Sequence, residues 1–438
     1  MFDTIAAIAT SLNNNAISII RISGNDSFEI INKIVNIDLL AKKANSISYA
    51  KIIYEGVYYD EILISKFVAP KSFTGENLIE INCHGGVLIT RKIFSLILSL
   101  GIRIAMPGEF SKRAFLNNKI SLSKAEAINE LINAKNNIQI EAANKLINNS
   151  VSILLEPLIK SIVKLIATIE VNIDYPEYDD VEVLSDNTIM PLLLDFINKT
   201  EEIINKSERF IKIKNGIKVA IVGKPNVGKS SLLNALIKKD KAIVSNIPGT
   251  TRDIIEGDLR LNNISLELID TAGIRESLDT IENIGIQKSK EAIKEADLIF
   301  FLIDNSFDKE DEKILADLKD KKYIIINNKK DLSIKKDIIN ISALNNDLEE
   351  LYHYLEEIYE DDIALVDDEI LNNQRQLSLM IKAKTQIKEA VAIIKEGYEL
   401  DLISDNLYLA YEALRDIDGK GDREDLIDEL FKNFCLGK

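Results

Sequence analysis

The chain has 438 residues, a formal net charge of −16 and a sequence pI near 4.9. That length exceeds what one hydrophobic core supports, so we expect several domains, and the acidic balance argues against a protein that coats nucleic acid or adheres to anionic membranes. Cys83 and Cys435 lie far apart, which indicates neither a disulfide framework nor a zinc site. With no cationic leader and no apolar run of roughly 20 residues, we expect a cytoplasmic protein without membrane contact.

Residues 1–118 mix short strand-like runs with two helical segments and predict a compact α/β or α+β domain, of which we take α+β as the prediction. Residues 119–210 are nearly free of glycine and show helical spacing, with one break where a proline stands among acids at 174–180. Helical spacing returns over residues 371–414 and 425–434, within the predicted second helical part at 364–438. The simplest interpretation is one helical domain into which residues 211–363 are inserted, and two separate helical pieces are the alternative.

The inserted region begins with a glycine-rich run, residues 223–231, which follows an apolar strand-like stretch and precedes a helix-like one. This is the context of a phosphate-binding P-loop, in which Lys229 reaches the outer phosphates and Ser230 can ligate Mg²⁺. A glycine-rich turn with a solvated lysine is the alternative reading of the motif alone. The predicted phosphate-binding residues are Asn226, Val227, Gly228, Lys229, Ser230 and Ser231.

Three later segments, residues 270–273, 328–331 and 342–343, favour GTP over ATP. Residues 270–273 read as a strand end followed by a glycine near the γ-phosphate. Asp331 ends an Asn-Lys-x-Asp set and can accept two hydrogen bonds from guanine, which adenine does not offer in that arrangement. The sequence therefore predicts a Ras-like α/β GTPase domain. The further nucleotide-binding candidates are Asp270, Thr271, Ala272, Gly273, Asn328, Lys329, Asp331, Ser342 and Ala343.

Nearly end to end, the chain resembles the bacterial tRNA modification GTPases of the MnmE (TrmE) family. The resemblance is carried by residues 3–10, 20–24, 72–77, 80–86, 107–117, 249–253 and 270–273, and by the ending Phe434-Cys435-Leu436-Gly437-Lys438. It implies an N-terminal tetrahydrofolate-binding and dimerising domain, a helical domain and an inserted G domain. The chain departs from the family pattern in residues 11–15 and 416–419.

The resemblance also implies an activity. Together with the flavoprotein GidA (MnmG), in a heterotetramer, the family modifies C5 of the wobble uridine, position 34, of certain tRNAs. The added group is aminomethyl or carboxymethylaminomethyl, and its one-carbon unit comes from 5-formyl- or 5,10-methylene-tetrahydrofolate. The folate-binding residues of the family correspond to Arg21, Glu80, Lys119 and Lys438.

For hydrolysis, the resemblance implies K⁺ in place of an arginine finger, together with dimerisation of two G domains. No glutamine follows the Asp-x-x-Gly segment, where Ile274 and Arg275 stand. The implied K⁺ residues are Asn226, Ser245, Ile247 and Thr250, and Ser230 and Thr251 would complete the Mg²⁺ shell. Glu282 corresponds to the glutamate that positions the attacking water. The implied nucleotide-binding loop is Ser245, Asn246, Ile247, Pro248, Gly249, Thr250 and Thr251.

Other functions stay open at this point. One is a GTPase switch for ribosome assembly or signalling, and another is a folate-binding protein whose GTPase is regulatory only. Without the resemblance, Arg21 and Lys119 read as surface charges and Glu282 as a helix-start acid. His84 and Cys435 are more typical of structural residues than of a metal ligand and a nucleophile.

Overall fold

The computed structural model describes residues 3–148, 150–174, 186–244, 258–261, 264–269, 292–304, 307–319, 321–396, 400–419 and 437. They divide into two compact units. The first, here the N-terminal unit, comprises residues 1–132, 146–149 and 412–438, and the second, here the G unit, comprises residues 133–145 and 150–411.

A six-stranded sheet forms the centre of the N-terminal unit, with strand order β3-β4-β5-β2-β1-β6. Its strands are β1 (Ile5–Ile8), β2 (Ile17–Ser23), β3 (Ser46–Tyr54), β4 (Val57–Phe67), β5 (Leu78–His84) and β6 (Arg103–Ile104). Its first three helices are α1 (Ser27–Asn32), α2 (Val87–Ser99) and α3 (Glu109–Leu116). All neighbouring strands are antiparallel except β1 and β6.

Alternation along these strands separates a core face from a second face. Ile20 and Ile22 of β2 and Ile79 and Ile81 of β5 are buried in one core with α2. Because successive side chains of a strand point to opposite faces, Arg21 and Glu80 lie on the other face, where they are register partners. The sheet thereby brings together two of the predicted folate-binding residues.

Four helices follow along the chain: α4 (Leu122–Asn133), α5 (Asn137–Ile147), α6 (Ser150–Asp174) and α7 (Asp186–Asn215). They confirm the predicted helical character of residues 119–210, and α7 continues to Asn215. The predicted turn at 174–180 lies outside the described residues except for Asp174. Gly216 then adopts φ +109°, and β7 begins at Ile217.

The G unit contains a second six-stranded sheet, with order β12-β11-β10-β7-β9-β8. Its strands are β7 (Ile217–Gly223), β8 (Asp258–Leu261), β9 (Ile264–Leu268), β10 (Leu298–Asp304), β11 (Tyr323–Asn328) and β12 (Ile339–Asn340). Its numbered helices are α8 (Lys229–Val244), α9 (Lys309–Asp317), α10 (Glu349–Ile358) and α11 (Glu360–Ala364), and a 3₁₀ turn follows at Leu365–Asp367. All its neighbouring strands are parallel except β8 and β9.

This topology positions the candidate nucleotide site. The carboxyl ends of β7, β10 and β11 meet at one edge of the sheet, where ligands of open α/β sheets bind. The strand-like stretch predicted before the P-loop and the helix-like stretch predicted after it are confirmed as β7 and α8. The prediction of one helical stretch over 371–414 corresponds to two helices, α12 (Gln374–Glu396) and α13 (Leu400–Ile417), with residues 397–399 outside the described part of the chain.

Within the described ranges, no helix is both long and apolar enough to cross a membrane.

Candidate functional site

The P-loop connects the end of β7 to the start of α8 and has an unusual backbone. Asn226 adopts φ +65° and Gly228 φ +100°, a region that asparagine and glycine enter at least cost. Gly223 lies so close to β10 that an added Cβ would be 2.4 Å from the carbonyl oxygen of Leu302. The loop is therefore held close to the sheet, as a backbone cradle for phosphate requires.

The ammonium group of Lys229 lies over this loop. It donates hydrogen bonds to the carbonyl oxygens of Gly223 and Lys224, each at 2.7 Å. Burial lowers the pKa of Lys229, since a partly desolvated ammonium has lost water that neutral carbonyl groups replace incompletely. The arrangement is not a solvated surface lysine, and a polyphosphate would supply the negative charge that this cation lacks.

Asn328 connects the P-loop to the predicted base-binding loops. Its side chain is 3% exposed; Nδ2 donates to the carbonyl oxygen of Val227 at 2.9 Å, and Oδ1 accepts from the backbone N–H of Ala343 at 3.1 Å. A Cβ on Gly228 would lie 2.1 Å from Asn328 Nδ2, so this glycine leaves room for the amide. One buried side chain thus fixes the distance between the two halves of the site.

The base loops carry the other predicted residues. Asp331 Oδ1 accepts a hydrogen bond from Ser342 Oγ at 2.6 Å, which orients the carboxylate. Lys329 Nζ lies 2.9 Å from Asp304 Oδ2 at the end of β10. Asn340, which the sequence did not single out, accepts from the buried Asn327 at 2.9 Å and joins β12 to β11. An oriented carboxylate matches the two donors of the guanine edge.

The structure brings together the P-loop and base-loop candidates. These are Asn226, Val227, Gly228, Lys229, Ser230, Ser231, Asn328, Lys329, Asp331, Ser342 and Ala343. The remaining nucleotide, K⁺ and Mg²⁺ candidates and the predicted catalytic residue lie outside the described residues. These are Ser245, Asn246, Ile247, Pro248, Gly249, Thr250, Thr251, Asp270, Thr271, Ala272, Gly273 and Glu282.

A second polar cluster lies on the N-terminal unit, at Arg21. Its Nε donates to Glu80 Oε1 at 2.9 Å, and its Nη1 donates to the carbonyl oxygen of Gly437 at 2.9 Å. The rings of Phe73 and Phe110 lie with their centroids 5.7 Å from Arg21 Cζ. A guanidinium donor, a carboxylate acceptor and the half-buried ring of Phe73 suit a flat heteroaromatic ligand with an anionic tail.

Lys119 borders the loop that carries Phe73. Its Nζ donates to the carbonyl oxygen of Pro70 at 2.9 Å, and a Cβ on Gly75 would lie 3.2 Å from Lys119 Cγ. Lys438 lies outside the described residues, but Gly437 is bonded to Arg21. Arg21 therefore contacts Glu80 and Gly437, the residue before Lys438, while Lys119 contacts the loop that carries Phe73.

Cys83 and His84 are the last two residues of β5. Cys83 is buried, and burial raises the pKa of its thiol. His84 Nδ1 lies 2.7 Å from Asp60 Oδ1, a contact that fixes the imidazole against β4. Among the side chains that the structure describes, no group of three or more His, Cys, Asp or Glu could hold a metal ion.

Two protein-family models match most of the chain. A family model described as the MnmE helical domain matches residues 122–435, and one described as the GTP-binding protein TrmE N-terminus matches residues 4–119. The chain belongs to the MnmE family. The match to the MnmE helical domain begins before the second sheet and ends after it. The predicted combination of an α+β N-terminal domain, a helical domain and a P-loop GTPase domain is confirmed.

Curated members of the MnmE family match over the whole chain. The proteins from Acholeplasma laidlawii and Malacoplasma penetrans are 45% and 46% identical, and each alignment covers 100% of both chains. The protein from Mycoplasma mobile is 44% identical with the same coverage. Each is named a tRNA modification GTPase, which confirms the predicted enzyme class of the MnmE family, a GTP hydrolase in tRNA modification.

Proposed function

We propose that this protein hydrolyses GTP and, with a flavin-dependent partner of the GidA (MnmG) type, modifies C5 of the wobble uridine of certain tRNAs. The observation that carries the GTP assignment is the connection of the P-loop through Asn328 to a loop in which Ser342 orients Asp331. A phosphate cradle and an oriented guanine reader on one sheet edge are the two requirements of GTP recognition. Family membership supports tRNA as the substrate.

The test is the modification state of the wobble uridine in tRNA from cells that lack the gene. We expect the (carboxymethyl)aminomethyl group to be absent, and to return when the wild-type gene is supplied but not when the Lys229→Ala variant is. A fully modified wobble uridine in the deletion strain would refute the tRNA assignment. If the deletion strain lacks the modification and the gene for the Lys229→Ala variant restores it, GTP hydrolysis does not drive the reaction.

For the hydrolytic step, we propose a K⁺ ion held by Asn226 and the loop residues Ser245, Ile247 and Thr250. When bound, the ion supplies a fixed positive charge where negative charge grows in the transition state. Ser230 and Thr251 are proposed as Mg²⁺ ligands. The left-handed Asn226 and the position of Ser230 at the start of α8 fit these roles, because both belong to the phosphate cradle.

Glu282 is proposed to position the attacking water, and pairing of two G domains is proposed to close the site. Replacing K⁺ by Na⁺ should slow hydrolysis at least about tenfold, or roughly 1.4 kcal/mol in the activation free energy. Equal rates in the two salts would refute the K⁺ proposal. Glu282→Ala should lower kcat by about 10²-fold while the affinity for GTP stays nearly unchanged. Normal turnover in that variant would make Glu282 an ordinary surface acid.

On the N-terminal unit, we propose a site for 5-formyl- or 5,10-methylene-tetrahydrofolate formed by Arg21, Glu80, Lys119 and Lys438. The pairing of Arg21 with Glu80 beside aromatic rings supports it, since a carboxylate can accept from a pterin edge and cations can bind a glutamyl tail.

Titration calorimetry with 5-formyl-tetrahydrofolate tests this site. Arg21→Ala should lower the affinity at least about tenfold, as expected for loss of a charged hydrogen bond. Lys51→Ala is the matched control, because it removes an exposed ion pair with Glu61 on the same sheet (3.2 Å). Equal folate affinity in the wild type and Arg21→Ala would contradict the proposal.

A further inference from the structure

The first lysine of the P-loop, Lys224, has partners that the motif does not predict. Its Nζ lies 2.8 Å from Asp308 Oδ2 and 2.7 Å from Asp311 Oδ2, so one ammonium contacts two carboxylates. Both acids belong to the start of α9, in the connection that follows β10. The contact joins the entrance of the P-loop to a neighbouring element of the sheet.

This ion pair differs from the exposed pairs elsewhere on the molecule. The Lys224 side chain is 11% exposed and Asp311 is 0% exposed. Asp311 Oδ1 has no hydrogen-bond partner among the described residues, so Lys224 is the cation that compensates this buried carboxylate there. Surface pairs contribute little because water screens them, but a buried acid depends on its partner.

The two acids are themselves held rigidly. Asp308 Oδ1 accepts from the backbone N–H groups of Glu310 at 2.9 Å and Asp311 at 3.3 Å, and Asp311 Oδ2 accepts from the N–H of Asp308 at 3.0 Å. This reciprocal capping box fixes both carboxylates at the first turn of α9. Lys224 is consequently attached to a rigid helix end.

The backbone of Lys224 forms part of the phosphate cradle. Its carbonyl oxygen accepts from Lys229 Nζ at 2.7 Å. At the other end of the loop, the carbonyl oxygen of Val227 is held by Asn328. Between these two attachments lies Asn226, whose backbone is left-handed.

We propose that Lys224 is a positioning residue of the GTPase site, which fixes the P-loop to the capping box of α9 so that the phosphate-binding groups are in place before the nucleotide arrives. Its charge is directed at Asp308 and Asp311 and does not contact phosphate. The two attachments, Lys224 at the loop entrance and Asn328 near its exit, hold the left-handed part of the loop between them.

Nucleotide binding by the full-length protein tests the proposal, with fluorescent GDP and GTP as probes. Lys224→Met removes the charge and keeps an unbranched stem, and we expect it to raise the Kd of GDP and of GTP alike, by at least about tenfold, because the whole cradle is displaced. Lys224→Arg should recover most of the affinity for both nucleotides. Lys212→Met is the control, since it removes an exposed pair with Asp297 (4.0 Å) in the same unit.

A double-mutant cycle separates positioning from phosphate binding. If Lys224 acts through Asp311, adding Asp311→Asn to Lys224→Met should cause no further loss of affinity. If Lys224 were a γ-phosphate ligand, Lys224→Met would weaken GTP and spare GDP. Unchanged Kd values for both nucleotides would show that the ion pair of Lys224 has no function in binding. A loss for GTP alone, or no change for either nucleotide, overturns the proposal.

Melting temperatures identify a folding defect. If the Lys224→Met protein melts far below the wild type, the Asp308→Asn variant is used in its place. This substitution removes only one of the two carboxylates, at a half-exposed position that tolerates the change better. We then expect the Kd of GDP and the Kd of GTP each to rise about threefold. Lys224 loses its contact with one carboxylate, Asp308, but keeps its contact with Asp311. No rise in this variant would refute the positioning role.

Discussion

The buried amide of Asn328 should control the affinity for GTP through both halves of the site. Asn328→Ala removes the hydrogen bonds to Val227 O at 2.9 Å and from the Ala343 N–H at 3.1 Å. With about 1 kcal/mol net for each bond, the loss is about 2 kcal/mol, which raises the Kd about 30-fold. The side chain is 3% exposed, so water does not readily replace the lost partners.

Equilibrium titration with a fluorescent GTP analogue measures this effect. Asn345→Ala is the matched control, because its amide is exposed on the loop that follows Ala343. Asn328→Asp divides the effect: a carboxylate still accepts from Ala343 but repels the carbonyl oxygen of Val227, so its affinity should also fall. A folded Asn328→Ala protein whose Kd stays within about threefold of the wild type would refute the reasoning, since that change is below 1 kcal/mol.

Asp331→Asn should shift the preference from GTP to xanthosine triphosphate, because an amide donates where the guanine amine also donates; retained preference for GTP in competition binding would remove Asp331 as the base reader. Gly437→Ala should lower the free energy of unfolding by about 1–3 kcal/mol, since the residue has φ +92° and its Cβ would lie 2.9 Å from Ala9 Cα; an unchanged denaturation midpoint would contradict this packing. The hydrogen bond to Arg103 lowers the pKa of Asp3 from 3.8 to about 2, so this contribution to stability is complete above pH 3.8 and is lost as the pH falls through about 2. Melting curves from pH 5 to 2 should fall less steeply for Asp3→Asn, and parallel curves would exclude the contribution.

Contiguous motifs made the P-loop and base-loop parts of the candidate nucleotide site predictable. Residues 223–231 and 327–331 each contain their own strand end, turn and chemistry, so their local sequence determines what they present at the sheet edge. The parallel order of β7, β10 and β11 then brings them together. The assignment of Asp331 to the base loop and of Lys229 to the P-loop required no information beyond these segments.

Contacts between distant segments were not predictable from local sequence patterns. Lys224 and Asp308 are 84 positions apart, so no local pattern connects them. Arg21 and Gly437 are 416 positions apart, and only the family resemblance, which groups Arg21 with Lys438, indicated that these segments meet. Nothing in the local sequence around Asp308 and Asp311, which form the capping box of α9, indicates a lysine partner. Such pairs depend on the tertiary fold alone.

The core of the second sheet also includes residues outside the predicted G domain of 211–363. Ile138 and Ala142 of α5 are buried in one cluster with Leu266 of β9. Asn136, at the start of α5, donates to Ser265 Oγ at 2.8 Å. Helical spacing predicted α5 correctly but could not show which apolar surface it covers.

This packing constrains how a nucleotide-dependent change can spread. β9 ends at Leu268, directly before the predicted γ-phosphate segment at 270–273. A shift of β9 would break the buried hydrogen bond between Asn136 and Ser265 and open the core around Ile138, and both changes cost free energy. The strand therefore either stays fixed while the segment after it rearranges, or moves together with α5. In the second case, residues 133–145 would carry the effect of hydrolysis beyond the sheet, and Asn136→Ala, which releases the strand from the helix, would reduce tRNA modification more than GTP turnover.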